Sequence, residues 1–548
     1  MSYGLTANDW MDPPVDSAGP AVGAHITEGG LIVLPADAPP QVYRSAMIPV
    51  AFGLAVAISG LGYIVGGVQV FSDLAFLVVS VTCIYLVAVE LVAFGQRLGI
   101  GAILIYGGIL IWFCHDYASN WFNHDYTRFN KWYPGLDATI GPEVVGRAMF
   151  YHCLFIEMMV IAFRFPVLRS LERVVTGVPE PANDGFYFGL VVGLLVLGSS
   201  SFIFTKEFPL ISMARAGLWF LPGIGPVQWT VGRTNLATSW GAYVAQLIQV
   251  GQVGGIMAAV YALLVARSTM AKAFGWFVWA YWLSFSMAGE RRGEIAFMAL
   301  PVAGIVFLKF QSLRDPSQRL RNMKWMVATA LVTAGAWVAV EYQSADRSIS
   351  GQFHLFQAAG NTMFSEGLNT WQIIPSRHGF AYDSVVGEAI VRPVPDTVWL
   401  LVTGPIPRMI WPGKPVEQFA LWYSAYISHD NRGVTSGGLE GTTISSGAVG
   451  YWYFRYGPPG VIEGGLIYGF MMGLAERSLR RAQGRPMKVM FALAFAAFLF
   501  RCYRDLWWHN LYPMLIGGVV LYAMIKFVFG ARPDGDDAPV PNGPIQPA

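Results

Sequence analysis

Charge is what this chain has least of. Only 13% of its 548 residues are Asp, Glu, Lys or Arg, about half the ~25% usual in a soluble domain. That scarcity, with 54% hydrophobic residues and a mean hydropathy of +0.46, excludes an ordinary water-soluble enzyme. Thirty-six basic residues against 34 acidic ones leave a net charge of +2, too small and too dispersed for a nucleic-acid-binding surface. The four cysteines, Cys83, Cys114, Cys153 and Cys502, form no CxxC and no zinc spacing. They read as lone buried thiols, with a Cys114–Cys153 bridge as the alternative. No phosphate-binding glycine loop, GxSxG or HExxH is found, which argues against a nucleotide-driven or zinc-hydrolase mechanism and gives no reason to expect a cofactor or metal.

What is abundant is the apolar run. Spanning a bilayer as a helix takes roughly 20 mainly apolar residues. Segments of that kind lie at 47–68, 71–94, 98–114, 146–166, 186–204, 239–266, 272–288, 293–309, 324–342, 444–475, 487–503 and 508–529. The expected class is an all-α polytopic membrane protein with about 12 transmembrane helices. Residues 1–43 and 531–548, rich in Pro, Ala, Gly and acidic groups, read as disordered tails, the first lacking the apolar core of a cleavable signal. Nine spans fall within 44–342 and three within 444–530.

Charge chooses the side, because Lys and Arg collect in short cytoplasmic connections. With both termini inside, the inner connections hold Arg97; Arg169 and Arg173; Arg267 and Lys272; Arg314, Arg319, Arg321 and Lys324; and Arg477, Arg480, Arg481, Arg485 and Lys488. Three long segments then lie outside: 115–145, 205–238 and 343–443. A hundred-residue connection is far longer than packing requires and points to function. Its apolar stretch from Ser384 to Trp411 is broken by Pro393, Pro395, Pro405 and Pro407, a pattern for short interfacial or re-entrant helices rather than a span.

Two outer connections break the charge rule: Ala288 to Glu294, carrying Arg291 and Arg292, and Arg501 to Asp505, carrying Arg504. Arginine at the disfavoured face is a functional hypothesis by default, and its planar fork suits a diphosphate. The alternative is local neutralisation by Glu290, Glu294 and Asp505. The large loop adds Arg377, His378, Arg392, Arg408, Lys414 and His429 among Trp371, Tyr382, Trp399, Trp411, Trp422, Tyr423 and Tyr426. Cations beside aromatic faces fit a ligand with phosphate at one end and sugar rings at the other, although a bilayer-surface aromatic belt has the same composition. The paired His115-Asp116 and His124-Asp125 have no supporting geometry for a metal. Glu90 and Glu157 interrupt apolar spans, each seven residues before an arginine, Arg97 and Arg164, on the same helix face. They read as structural pairs, with a proton pathway as the alternative.

The large loop closes with Ile406-Pro-Arg-Met-Ile-Trp-Pro-Gly-Lys-Pro415, and Ser446-Gly-Ala-Val-Gly-Tyr-Trp-Tyr-Phe-Arg-Tyr-Gly-Pro-Pro-Gly460 opens the next helix. This arrangement resembles the Wzy-type O-antigen polymerases of bacterial surface polysaccharides, in which a Pro-Arg-x-x-Trp-Pro-x-Lys-Pro segment precedes a Gly-rich helix. The resemblance covers the C-terminal half, including Arg292-Gly293 heading a helix. It departs from the family's pattern of Arg, ten residues, Gly: nine residues separate Arg377 from Gly387 and eleven separate Arg392 from Gly404.

The resemblance implies a glycosyltransferase-C-like fold and a metal-independent transfer on the periplasmic face of the bacterial inner membrane. A growing glycan would pass from undecaprenyl diphosphate to a second lipid-linked repeat unit, with a chain-length regulator as a further partner. It assigns Arg408 and Lys414 to the motif's basic positions and Arg292 to the helix head. The chemistry then asks for diphosphate contacts from Arg291, Arg292, Arg377, Arg392, Lys414 and Arg504. It also asks for Arg408 at the reacting bond, sugar contacts from Trp371, Tyr382, Trp411 and Trp422, and a base, for which His378 and His509 are the candidates. In related O-antigen ligases a His-Asn pair at an outer helix end takes part in transfer, so His509-Asn510 keeps the ligase as the alternative. A lipid flippase or other transporter is the non-enzymatic alternative; the long outer segment and the lack of a repeat between halves stand against it.

Overall fold

The computed structural model describes residues 25–26, 32–33, 47–92, 100–114, 117–118, 142–164, 184–204, 208–218, 247–288, 292–311, 406, 410–411, 434–435, 438–439, 447–482, 485–502 and 519–528. Apart from short turns and connecting residues, these residues are helical, with two pairs of two-residue antiparallel strands: β1 (His25–Ile26) with β2 (Ile32–Val33), and β3 (Val434–Thr435) with β4 (Gly438–Leu439). The first pair lies inside the expected N-terminal tail and the second inside the large loop. The expected span 324–342, the large loop apart from 406, 410–411, 434–435 and 438–439, and the C-terminal tail lie outside the described residues.

The helices follow the apolar runs: α1 (Met47–Ile64), α2 (Gln69–Val92), α3 (Ile100–Ile109), α4 (Pro142–Phe163), α5 (Asp184–Ser199), α6 (Pro209–Leu218), α7 (Leu247–Val260), α8 (Thr269–Ala288) and α9 (Arg292–Gln311), then α10 (Gly447–Tyr456), α11 (Pro458–Arg481) and α12 (Pro486–Cys502). π-Helical turns extend α3 through Leu110–Cys114 and α7 through Tyr261–Val265, and a 3-10 turn extends α5 through Ser200–Phe204. Five of the described helices are long and apolar enough to cross a membrane: Met47–Ile64, Gln69–Val89, Val145–Phe163, Asp184–Ile203 and Leu247–Val265. Their surroundings agree with lipid as the solvent. Val50, Leu54, Leu61 and Ile64 on α1, and Val70, Leu77, Val81 and Ile84 on α2, are exposed, an apolar exterior that water would penalise.

The expected single span 444–475 is corrected here. Gly457, with φ 70°, breaks it, and Pro458 starts α11, which runs on to Arg481. The left-handed residue costs glycine nothing, and proline at the first helical positions has no amide to leave unbonded. Arg477, Arg480 and Arg481, expected in a connection, are therefore helical. Arg477 Nη2 donates to the Phe163 carbonyl at 3.2 Å, covering an orphan carbonyl at the C-terminus of α4.

The deepest seam joins α11 to α4. Gly465, Gly469 and Gly473 recur every fourth residue and so share one face. A Cβ at Gly465 would stand 2.6 Å from the Phe155 carbonyl, one at Gly469 would strike the Met159 carbonyl, and one at Gly473 would stand 2.8 Å from the Phe163 carbonyl. Small residues here let two backbones meet, the usual packing device where lipid supplies no hydrophobic drive. Around this seam lie Phe155, Met159 and Tyr468, and on the α1 and α2 side Phe52, Ala55, Val79 and Leu86, all buried. A second centre forms where Gly198, Gly251 and Gly255 admit the ring of Trp282, which packs on Phe202 and Phe285. Helix α6, inside a segment expected as a loop, buries Ser212 and Ala216. Ser284 on α8 donates to its Gly217 carbonyl at 2.9 Å.

Candidate functional site

Most of the expected site residues, namely Arg291, Trp371, Arg377, His378, Tyr382, Arg392, Arg408, Lys414, Trp422, Arg504 and His509, lie outside the described residues. Two do not. Arg292 is the first residue of α9, and Trp411 is half-buried beside the exposed Ile410. The His115, Asp116, His124 and Asp125 set also lies outside. Among the described residues no three His, Cys, Asp or Glu side chains converge on a metal-sized site.

What the described residues do bring together is a cation and three tyrosines near the start of α4. Glu143, Arg147 and Tyr151 follow at intervals of four, one above another on the same face. The Arg147 guanidinium carbon lies 5.7 Å from the centroid of the Tyr63 ring, at the end of α1, within cation–π range. Arg147 Nη2 donates to Glu143 Oε1 at 3.4 Å, with the arginine side chain 17% exposed and the glutamate 65%. Tyr63 stacks on Phe150, with centroids 5.9 Å apart. Tyr151 meets Tyr453 of α10 edge-on at 4.8 Å, and their hydroxyls hydrogen-bond. Tyr453 belongs to the Ser446–Gly460 segment that carries the family resemblance, so the Gly-rich motif packs on the helix that holds Arg147.

Local sequence dictates this arrangement. Gly66 and Gly67, with φ 84° and 80°, reverse the chain between α1 and α2 in a conformation that penalises any Cβ. A Cβ at Gly67 would strike the Glu143 amide and Cα. The glycine turn therefore sits on the first turn of α4 and brings Tyr63 over Arg147. Beside it, α2 opens on a closed triangle: Gln69 Nε2 donates to Asp73 Oδ1 at 3.0 Å and to the Tyr117 hydroxyl at 2.8 Å, and that hydroxyl donates to Asp73 Oδ1 at 2.7 Å. Tyr117 is fully buried against Phe76. Tyr117→Phe keeps the ring and removes two of the three bonds. The expected loss is about 1–2 kcal/mol, read as a lower melting temperature of the purified protein, and no loss would show the triangle to be incidental.

Sequence reasoning missed Arg147. A lone arginine within an apolar run gives no spacing signal, and its aromatic partner lies 84 positions earlier (147 − 63). The available clue was an arginine one turn in from Pro142-Glu143, near the start of an otherwise apolar span.

Deeper in the bundle, Glu157 is buried with Oε2 lacking a hydrogen-bond partner among the described residues, while the charge of Arg164 acts on it. The expected ion pair with Arg164, two turns on, is not what is seen: the arginine acts on Glu157 only at a distance. The side chains of Glu90 and Arg97 lie outside the described residues. Cys83, Cys114 and Cys153 are free and buried, as lone thiols.

Comparison with protein-family models, with curated proteins and with solved structures finds no match to the chain.

Proposed function

We propose that the chain is a Wzy-type polymerase of the bacterial inner membrane, joining undecaprenyl-diphosphate-linked repeat units at the periplasmic face. The observation that carries this reading is the seating of the motif helix α10, through Tyr453, on Tyr151, one turn from Arg147. A helix opened by Arg292 adds to it. Arginine at a helix N-terminus is disfavoured by the macrodipole, so an anion held there answers both charges.

The transfer needs no metal. An acceptor-sugar hydroxyl attacks the anomeric carbon of the donor glycan; a new glycosidic bond forms and the carbon–oxygen bond to diphosphate breaks. The diphosphate leaves with the bonding electrons, and the hydroxyl proton passes to a base. Guanidinium groups held in a site poor in water stabilise the departing charge. Arg408 takes the reacting bond; Arg291, Arg292, Arg377, Arg392, Arg504 and Lys414 take the diphosphate. His378 or His509 takes the proton, while Trp371, Tyr382, Trp411 and Trp422 stack on sugar faces.

Arg408→Ala and Arg292→Ala are expected to abolish long glycan chains while the protein still inserts. Loss of one transition-state donor costs on the order of 10²–10³ in rate, enough to leave single repeats on a gel of extracted glycan. Chains of normal length in both variants would refute the proposal. A deletion strain separates the ligase. Single repeats on the lipid core mark a lost polymerase, and polymer accumulating on undecaprenyl carrier marks a lost ligase. Reconstituted vesicles that move labelled lipid-linked sugar without forming a glycosidic bond would mark a transporter.

A further inference from the structure

We infer that Arg147, with Tyr63, Tyr151 and Tyr453, binds the phosphate of a lipid whose apolar chains run down the outside of α1. Tyr453 and Tyr151 seat the motif helix in the reading above, but none of the four residues is given a part in the transfer step, and the inference rests on their geometry alone.

Three observations point to it. First, Arg147 is under-used. Guanidinium carries five N–H donors, yet Nε is buried with no partner among the described residues, and Nη2 makes one long contact, 3.4 Å, to a glutamate that is mostly exposed. Such an exposed pair contributes little, whereas a buried donor left unmade is costly. Nε itself is enclosed, but the 17% of the side chain that stays exposed leaves the outer end of the guanidinium open to an acceptor with several oxygens, which can outcompete the single long contact to Glu143. Second, Tyr63 fixes the guanidinium plane from one side by the 5.7 Å cation–π contact, which orients the fork for a tetrahedral anion. Tyr151 places its hydroxyl on the same face of α4, hydrogen-bonded to Tyr453. Third, the neighbouring surface is apolar: Leu61, Ile64 and Val65, flanking Tyr63 around the end of α1, are 56%, 82% and 60% exposed. Arg147 lies near one end of the Val145–Phe163 span, the depth at which lipid phosphates sit. A free inorganic anion gains nothing from that apolar flank; an acyl or prenyl chain does.

Two sources share this chemistry: a bulk anionic phospholipid and a polyprenyl diphosphate. The test uses the full-length protein in detergent, with lipids added one at a time and retention measured by native mass spectrometry. The probes are dioleoyl phosphatidylglycerol, undecaprenyl diphosphate, dioleoylglycerol, which has the chains without the phosphate, and inorganic pyrophosphate, which has the phosphates without the chains. Wild-type protein is expected to retain one of the phosphate-bearing lipids at least ~10-fold better than either control, and Arg147→Gln to lose about 10-fold of that retention. Undecaprenyl diphosphate held more tightly assigns the site to a polyprenyl lipid; phosphatidylglycerol held more tightly assigns it to the bilayer. Either outcome upholds the site.

Glu143→Gln supplies the second reading, because its side chain is exposed and its loss threatens the fold little. Freed of the competing carboxylate, Arg147 is expected to bind the lipid phosphate about 2- to 3-fold more tightly. A merely structural arginine would leave retention unchanged in this variant. Equal retention of dioleoylglycerol and the phosphate lipids, or no response to either Arg147→Gln or Glu143→Gln, overturns the inference.

Discussion

Alanine at Gly469 is expected to lower the melting temperature of the purified protein sharply and to abolish whatever activity depends on the α4–α11 pair. The added methyl strikes the Met159 carbonyl, with the Met159 Cα and carbonyl carbon behind it. Backbone cannot rotate away as a side chain can, so the two helices must separate. Overpacking of this kind costs about 1–3 kcal/mol, occasionally more, and opening the seam also loosens the contacts of Gly465 and Gly473. Gly465→Ala should cost a similar amount, and the double variant should cost less than the sum, since neighbours in one seam do not add. Thermal unfolding of the three proteins in one detergent checks this; strict additivity, or a neutral Gly469→Ala, would mean that the helices do not meet as described.

The second large effect is expected at Trp282. Its side chain is fully buried, and its ring fills the space over Gly198, Gly251 and Gly255, between Phe202 and Phe285. In lipid the transfer part of a truncation shrinks, because lipid tails are as apolar as the core. The cavity part remains. Trp282→Ala leaves roughly 100–150 Å³ unfilled, and at about 24 cal/mol per Å³ the cost is on the order of 3 kcal/mol. Trp282→Phe should cost much less, because it keeps most of the contact and discards Nε1, an indole donor with no hydrogen-bond partner among the described residues. A ranking with Phe as damaging as Ala would show that the indole nitrogen, not the volume, is what the site needs.

The helices were legible because bilayer thickness imposes a length and the apolar runs display it. The expected edges at 47, 71, 98, 186, 272, 293 and 487 fall within a few residues of Met47, Gln69, Ile100, Asp184, Thr269, Arg292 and Pro486. Where reasoning from runs failed, the deciding physics was local or distant. The break at Gly457 depends on one left-handed residue followed by proline, and hydropathy averaged over 444–475 hides it. Helix α6 is too short to register as a run, and its burial rests on Ser212, Ala216 and the Ser284 bond from α8. The cluster at Arg147 joins α1, α4 and α10 across some 390 positions of chain, 63 to 453, and no periodicity reports a contact of that range. Of the site residues, Arg292 is described as the first residue of α9, one position before the edge expected from the apolar run.

The glycines of α11 differ in what faces them, and this sets which changes the protein can forgive. A Cβ at Gly464 would meet the indole of Trp452, a side chain that a second mutation can trim; one at Gly469 would meet only the main chain of Met159. A revertant screen starting from Gly464→Ala should therefore return smaller residues at Trp452. From Gly469→Ala it should return glycine alone, because no change of side chain on the facing helix removes a carbonyl.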